Sequence, residues 1–350
     1  MEYKKATGES GMTGKTEASE YEALRHTVRQ YWPDFSGTLK SGAKGWNNTT
    51  RFVDYGGKRF VLRVYETHRD PEKIRFEHEV LLRLAEEQLS FQTPVPWLTA
   101  AGETIVKLED GSGRYGCLFA YIEGRRPDDE DQRPLTSFGE AAGELSAVLA
   151  GIRTTLQPAY RPYYELGEAY PLCDPDRVSA FCAQPPTELA EVASSLRLLS
   201  ESYSDILREL EHLRNLPHQL VHGDLNASNL LVSEEDPSRA CALLDFEFCT
   251  YDIRAMEAAV ILSGLPQGEE AISRFMEGFR IRAALQPEEI EAIPLLMRLR
   301  KVDVFLHFLT RYLENTDGPN VLEEQSRLLS TDLKNMRDGE TKIKLLLSDI

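Results

Sequence analysis

Residues 220–232 read LVHGDLNASNLLV, and residues 243–248 read LLDFEF. Each stretch holds a short apolar run, and a polar segment that contains Pro237 separates the two runs. This spacing predicts two antiparallel strands joined by a turn. Pairing the strands brings Asn229, which precedes the first strand, close to Asp245, which follows the second.

The residue types at the ends of this hairpin point to a particular chemistry. Asn229 and Asp245 offer an amide oxygen and a carboxylate, and Mg²⁺ prefers such hard oxygen ligands. Asp224 lies on the loop that leads into the first strand, where its carboxylate can face the same point as a proton acceptor. An Asp base, an Asn ligand and a second metal-binding Asp form the phosphoryl-transfer apparatus of protein kinases.

The run from His222 to Asn229, followed by Asp245-Phe246-Glu247, resembles the aminoglycoside phosphotransferase and choline kinase superfamily. That superfamily also includes the second type of homoserine kinase and the fructosamine kinases. The resemblance covers about residues 41–261. It implies an α+β, protein-kinase-like fold with a small N-terminal lobe built on an antiparallel sheet, a larger and mainly helical C-terminal lobe, and ATP bound between them.

Composition and the resemblance together predict the division of the chain. Residues 1–18 are rich in Gly, Ser, Thr, Lys and Glu, so we expect a disordered tail. Apolar spacing predicts a first helix from about Tyr21 to Trp32. Residues 19–124 are expected to form the N-terminal lobe with the phosphate loop and hinge, and residues 125–350 the C-terminal lobe with the catalytic loop and the acceptor site.

The resemblance also implies roles for the catalytic-loop residues. Asp224 is expected to accept or orient the proton of the acceptor hydroxyl, while Asn229 and Asp245 hold Mg²⁺. Catalysis would come mostly from alignment and charge neutralisation, because the phosphoryl transition state is loose. His222 and Glu257 are expected to brace the backbone of the loop rather than to take part in the reaction.

In the N-terminal lobe the resemblance implies the groups that hold ATP. Arg63 occupies the strand position where protein kinases carry lysine, and its guanidinium can clamp phosphate through two hydrogen bonds. Glu79 on the following helix is the predicted ion-pair partner of Arg63, and Glu77 is the alternative. The other predicted ATP-binding residues are two glycines of the phosphate loop and three residues of the hinge: Gly42, Gly45, Phe119, Tyr121 and Ile122.

Charge and cysteine content narrow the class of protein. The 350 residues carry a formal net charge of −17, which disfavours nucleic acids and anionic membranes as partners. The five cysteines are scattered and form no CxxC pair, which is typical of free thiols in a reducing compartment. Neither a signal-peptide core nor an apolar run long enough to span a bilayer is present, so we expect a cytoplasmic protein.

The identity of the acceptor is left open by the sequence. The stretch from Asp245 to Glu257 favours choline or another small amino alcohol, and the overall length suits homoserine equally well. An aminoglycoside acceptor is a third possibility that rests on the shared superfamily. A non-catalytic, coat-associated or nucleotide-binding protein of the same fold is the alternative from another class, and the presence of Asp224, Asn229 and Asp245 argues against it.

Overall fold

A computed structural model of the protein describes residues 14–44, 48–67, 69–128, 131–265 and 268–348. Within these ranges the chain forms two lobes, a small one built on an antiparallel sheet and a larger one that is mainly helical. The predicted α+β, protein-kinase-like class is therefore confirmed. Residues 1–13 of the predicted tail lie outside the described residues, and the first helix begins at Gly14.

The N-terminal lobe is a five-stranded sheet flanked by two helices. Its strands are β1 (Thr38–Lys44), β2 (Asn48–Tyr55), β3 (Lys58–Tyr65), β4 (Val106–Lys107) and β5 (Tyr115–Ala120), and its helices are α1 (Gly14–Arg29) and α2 (Pro71–Ala85). The strand order is β1-β2-β3-β5-β4, and neighbouring strands are antiparallel. Gly56 and Gly57 join β2 to β3 with φ angles of 59° and 73°, the left-handed backbone that this tight turn needs.

Strand β3 separates the two hydrophobic clusters of the molecule. Leu62 and Val64 belong to the cluster that includes α1, whereas Tyr65 belongs to the larger cluster that includes α2. Side chains alternate along a strand, so Arg63 faces α2 together with Tyr65. The start of α2 is fixed by Asp70, whose carboxylate accepts a hydrogen bond from a backbone amide of the first turn.

The C-terminal lobe contains four short strands and eight helices among the described residues. The strands are β6 (His218–Val221), β7 (Leu230–Val232), β8 (Ala240–Leu243) and β9 (Thr250–Ile253); the helices are α3 (Leu135–Leu149), α4 (Leu166–Ala169), α5 (Pro175–Ala183), α6 (Ala193–Leu213), α7 (Met256–Gly264), α8 (Glu269–Arg282), α9 (Pro287–Leu313) and α10 (Pro319–Ser348). Short 3-10 turns also occur at Thr187–Val192, Ala227–Asn229 and Phe246–Phe248. Strand β6 pairs with β9 and β7 with β8, both antiparallel, and helices α6, α9 and α10 pack together.

Backbone hydrogen bonds attach the β7–β8 hairpin to the segments that come from the N-terminal lobe. Arg125 and Val232 exchange hydrogen bonds of 3.0 and 2.8 Å between their backbones. Gln92 donates its N–H to the carbonyl of Cys241 and accepts from the N–H of Leu243. Both strands of the hairpin are thereby held, which fixes the end of the hairpin where Asn229 and Asp245 lie. The predicted lobe boundary near residue 124 stays a prediction.

Helix length and polarity also bear on membrane association. No helix within the described ranges combines the length and the apolar character required to cross a membrane.

Candidate active site

The loop between β6 and β7 carries Asp224, and a glycine sets its shape. Gly223 has a φ angle of 83°, and a Cβ there would lie 2.3 Å from the carbonyl oxygen of Phe248. Any side chain is therefore excluded by conformation and by space. The carbonyl oxygen of Asp224 accepts hydrogen bonds from the amide side chains of Asn226 and Asn229, at 3.0 and 2.8 Å. The backbone on both sides of the Asp224 carboxylate is thus fixed.

Hydrogen bonds of the His222 ring hold this loop in place. Its Nε2 lies 3.0 Å from the carbonyl oxygen of Leu244, and its Nδ1 lies 3.3 Å from the backbone nitrogen of Asp224. A neutral ring with its proton on Nε2 satisfies both contacts, and burial lowers the pKa of His222 to about 4. The backbone N–H of His222 donates to Glu257 Oε2 at 2.9 Å, so the predicted bracing contact is confirmed.

The brace at Glu257 predicts a pH dependence of stability. Burial raises the pKa of the Glu257 carboxyl from 4.5 to about 7. Between these values the folded state keeps a proton that the unfolded state releases, so the free energy of unfolding falls as the pH rises. We expect Glu257→Gln to be less destabilising at pH 7.5 than at pH 5, by about 2–3 kcal/mol in urea unfolding.

Comparison of the variant with the wild type at each pH isolates Glu257 from other groups that titrate in the same window. One such group is His222, whose pKa is lowered to about 4 by burial. Another is Asp252, whose pKa is raised to about 7 by burial. An equal destabilisation at both pH values would show that Glu257 is ionised in the folded protein.

The β7–β8 hairpin places Asn229 and Asp245 at the same end, as the sequence predicts. Leu230 pairs with Leu243, and the N–H of Leu244 donates to the carbonyl of Asn229 at 2.8 Å. Asp245 then leaves the strand with a φ angle of 70°, a left-handed conformation that is uncommon outside glycine. This turn directs the chain into the short helical turn that follows, and it sets the direction of the Asp245 carboxylate.

The chemistry of these two side chains fits a divalent cation. Asp245 Oδ1 is buried and makes no hydrogen bond to the described residues. The amide nitrogen of Asn229 is committed to the Asp224 carbonyl, which leaves the amide oxygen as the atom for a metal. The described ranges hold no group of three His, Cys, Asp or Glu side chains that could bind a metal by themselves. Phosphate oxygens and water would therefore complete the coordination, as is usual for Mg²⁺.

Arg63 connects this end of the hairpin to the N-terminal lobe. Its Nη1 lies 2.8 Å from Glu77 Oε1, and its Nη2 lies 3.3 Å from Asp245 Oδ1. Burial opposes the charge of Arg63, but the two carboxylates outweigh this effect and raise its pKa. Tyr65 also donates a hydrogen bond to Glu77, at 3.0 Å, and so fixes the carboxylate that holds the arginine.

The predicted pairing of Arg63 with Glu79 is wrong. Glu79 accepts a hydrogen bond from the Thr154 hydroxyl at 2.7 Å, on another side of α2. Residues two positions apart in a helix are separated by roughly 200° around its axis. Only one of Glu77 and Glu79 can therefore face β3, and the structure selects the alternative, Glu77.

The predicted phosphate loop is described only at its edges. Gly42 lies inside β1 and not in the loop, at an irregularity in the β1–β2 register, where a Cβ would lie 2.9 Å from the carbonyl oxygen of Thr50. Gly45 lies outside the described residues. Asn48, the first residue of β2, donates to Glu247 Oε2 at 2.6 Å and thereby connects the sheet to the loop that follows Asp245.

The hinge residues have different surroundings. Phe119 is buried beneath the Arg63 guanidinium, which lies 5.2 Å from its ring centroid. Tyr121 is half-buried and contacts Phe52 edge-on at a centroid distance of 5.9 Å. Ile122 is also half-buried. Of the three predicted hinge residues, Tyr121 and Ile122 are exposed enough for their side chains to contact a nucleotide. The role of the hinge stays a prediction.

A half-buried arginine, which the sequence did not predict, faces the other side of Asp224. Arg300 on α9 donates from Nη2 to Asp224 Oδ1 at 2.5 Å and from Nη1 to Asp303 Oδ2 at 3.3 Å. Its guanidinium carbon lies 5.6 Å from the ring centroid of Tyr163. Burial raises the pKa of Asp224 above its usual range, although the charge of Arg300 opposes the shift.

The long segment before α6 closes the same side of the site. Tyr163 donates from its hydroxyl to the carbonyl of Gly223 at 2.5 Å and from its backbone to Asp252 Oδ2 at 2.6 Å. The ring of Tyr160 stacks on Phe248 at a centroid distance of 4.3 Å. The segment is therefore attached to the loop that carries Asp224 and to the chain that follows Asp245.

Sequence comparison relates the chain to proteins of known activity. The model of one protein family, described as a phosphotransferase enzyme family, matches residues 38–289. Homoserine kinase from Rhizobium meliloti (strain 1021) is 25% identical over 300 residues, which cover 82% of this chain and 83% of that protein. Homoserine kinase from Sinorhizobium fredii (strain NBRC 101917 / NGR234) is 26% identical over 315 residues, which cover 85% and 87%.

Structure comparison supports the same fold. The amicoumacin kinase hAmiN, solved with AMP-PNP, Ca²⁺ and Ami, superposes with a TM-score of 0.66 at 17% identity, over 93% of this chain and 96% of that one. A microcompartment-associated aminopropanol kinase superposes with a TM-score of 0.64 at 18% identity, over 95% and 99%. At these identities the likeness concerns the fold alone.

Proposed function

Because the chain belongs to the phosphotransferase enzyme family, we propose that it transfers a phosphoryl group from Mg²⁺-bound ATP to the hydroxyl of a small amino alcohol. Membership makes the protein a small-molecule kinase that transfers phosphate to a hydroxyl group. The observation that carries the proposal is the meeting of Asp224, Asn229 and Asp245 at one end of the β7–β8 hairpin, with Arg63 connecting Asp245 to Glu77.

Each of these residues has a separate role in the proposed reaction. Asp224 accepts or orients the hydroxyl proton, and the hydrogen bonds to its backbone keep the position of the carboxylate fixed. Asn229 and Asp245 would hold Mg²⁺, which would neutralise charge on the phosphates. Arg63 provides further positive charge at the phosphates, and Glu77 keeps its guanidinium in place.

The relatives support an amino alcohol as the acceptor. The homoserine kinases are named for an amino acid with a hydroxyl group, and the aminopropanol kinase for an amino alcohol of similar size. A small acceptor also suits the position of Arg300, which lies directly against Asp224. Aminoglycoside phosphotransferases share the fold, so an aminoglycoside acceptor is the second candidate.

ADP release tests the proposal. Purified protein with Mg²⁺ and ATP would be assayed against L-homoserine, 3-aminopropan-1-ol, 1-aminopropan-2-ol, choline, ethanolamine, a fructosamine and kanamycin. We expect turnover on at least one small amino alcohol and a product phosphorylated on oxygen. Turnover confined to kanamycin would favour the second candidate, and no turnover on any acceptor would contradict the proposal.

The ion pair between Arg63 and Glu77 can be tested with two matched variants of α2, one at Glu77 and one at Glu79. We expect Glu77→Gln to raise the KM for ATP and to lower kcat, with a combined loss in kcat/KM of roughly 10- to 100-fold, because Arg63 loses the nearer of its two charged partners. Glu79→Gln should keep kcat/KM within about twofold, since Glu79 contacts Thr154 and not Arg63. Steady-state kinetics with varied ATP measures both effects. A greater loss in Glu79→Gln would contradict the observed pairing.

A further inference from the structure

Several contacts hold the Arg300 side chain in place beside Asp224, the proposed general base. Its two terminal nitrogens contact the carboxylates of Asp224 and Asp303, and the face of its guanidinium lies on Tyr163. Asp303 is itself held by a 2.7 Å hydrogen bond from the Tyr170 hydroxyl. Since Tyr163 also bonds to the backbone just before Asp224, the arginine and the base are held in one arrangement.

The guanidinium retains hydrogen-bonding capacity in this arrangement. Arginine has five N–H groups, and Arg300 uses two of them in hydrogen bonds to the described residues. The Arg300 side chain keeps 20% of its surface exposed, and Asp224 keeps 19%. The remaining donors can therefore meet a molecule that approaches Asp224 from the acceptor side.

Charge and distance determine which group such a molecule presents. A guanidinium edge pairs best with a planar carboxylate, through two parallel hydrogen bonds. The guanidinium of Arg300 adjoins the carboxylate that would receive the acceptor hydroxyl, so hydroxyl and carboxylate would lie roughly 5 Å apart. A chain of three carbons between the hydroxyl and the carboxylate spans this gap.

We propose that Arg300 binds the carboxylate of the acceptor, which makes the acceptor a short hydroxy amino acid and not an amino alcohol without a carboxylate. This inference rests on the proposed function and adds the class of substrate. Arg300 thereby selects the acceptor and places its hydroxyl at Asp224 through the same side chain.

The test compares two acceptors that differ only in the carboxylate, L-homoserine and 3-aminopropan-1-ol, at saturating Mg²⁺ and ATP. The ratio of their kcat/KM values cancels any effect that a variant has on Asp224 or on the phosphates. We expect Arg300→Gln to lower this ratio, homoserine over aminopropanol, by roughly 10- to 100-fold. Arg300→Lys should recover part of the loss, because lysine keeps the positive charge but lacks the planar guanidinium that donates two parallel hydrogen bonds.

Arg298 provides the matched control on the same helix. It has a similar exposure of 18% and pairs with Glu340 of α10 and not with Asp224. Arg298→Gln removes the same charge and should leave the ratio unchanged.

Each other outcome overturns the inference. An equal fall for both acceptors in Arg300→Gln would show that Arg300 acts on the base or the phosphates. A wild-type preference for 3-aminopropan-1-ol would overturn the inference while leaving the proposed function in place. No wild-type turnover on either acceptor, or on the wider panel of amino alcohols, would overturn the proposed function and the inference with it.

Discussion

Asp224→Asn is expected to lower kcat by about 10³-fold while the affinity for Mg²⁺-ATP stays within about twofold of the wild type. The asparagine keeps the shape of the side chain and can still accept a hydrogen bond from Arg300, but it cannot accept the hydroxyl proton. The hydrogen bonds from Asn226 and Asn229 go to the backbone carbonyl of residue 224, so the loop should keep its conformation. Single-turnover ADP formation and equilibrium nucleotide binding measure the two quantities.

Asp236→Asn is the control for the removal of one carboxylate from this region. Asp236 is exposed in the turn between β7 and β8, and its carboxylate accepts hydrogen bonds from the N–H and hydroxyl of Ser238 in the same turn. We expect its kcat to equal that of the wild type. If Asp224→Asn retained more than about a tenth of the wild-type kcat, Asp224 would not be the group that handles the acceptor proton.

The catalytic hairpin could be predicted because its decisive contacts are local in the sequence. Two apolar runs with a polar turn between them have one antiparallel register that buries both, and Leu230 pairs with Leu243 accordingly. Asn229 and Asp245 are the residues next to those strands, so their meeting follows from the pairing. The left-handed backbone of Asp245 did not follow, because non-glycine residues rarely adopt it.

The partner of Arg63 depended on the rotation of α2 about its own axis, which the sequence signals only weakly. Ile74 and Leu81 lie on the buried stripe of α2, and Glu77 lies one turn from each of them. An acid on that stripe should face the sheet, so the helical phase favoured Glu77. The family resemblance had pointed to Glu79 as the partner of Arg63. The packing of α2 against β3 instead places Glu77 against Arg63 and Glu79 against Thr154.

Arg300 could not be found from local patterns, because it meets Asp224 across 76 residues of sequence. In α9 it stands near Arg298 and Lys301, which pair with residues of α10 instead. Only the packing of α9 beneath the catalytic loop distinguishes these cations. The proposed acceptor site therefore depends on tertiary contacts, which is why the sequence left the acceptor open.

Asp245→Asn is expected to abolish the Mg²⁺ dependence of nucleotide binding and to lower kcat by at least about 10³-fold. Asp245 Oδ1 is buried without a hydrogen bond and lies 3.3 Å from Arg63 Nη2, so its negative charge is available to a cation and to Arg63. An amide retains the size of the side chain but supplies no charge to either. Arg63 keeps Glu77 as a partner, so the fold should persist.

Titration of the nucleotide with and without Mg²⁺ distinguishes this variant from Asp224→Asn. Both variants should phosphorylate an acceptor at a greatly reduced rate. Only Asp224→Asn should still bind ATP more tightly when Mg²⁺ is present, because its Asn229 and Asp245 are intact. Mg²⁺-dependent binding by Asp245→Asn would move the metal site away from this residue, and loss of Mg²⁺ dependence in Asp224→Asn would mean that the base and the metal ligands are not separate groups. Opposite responses would assign proton transfer and metal binding to different side chains of one hairpin and its loop.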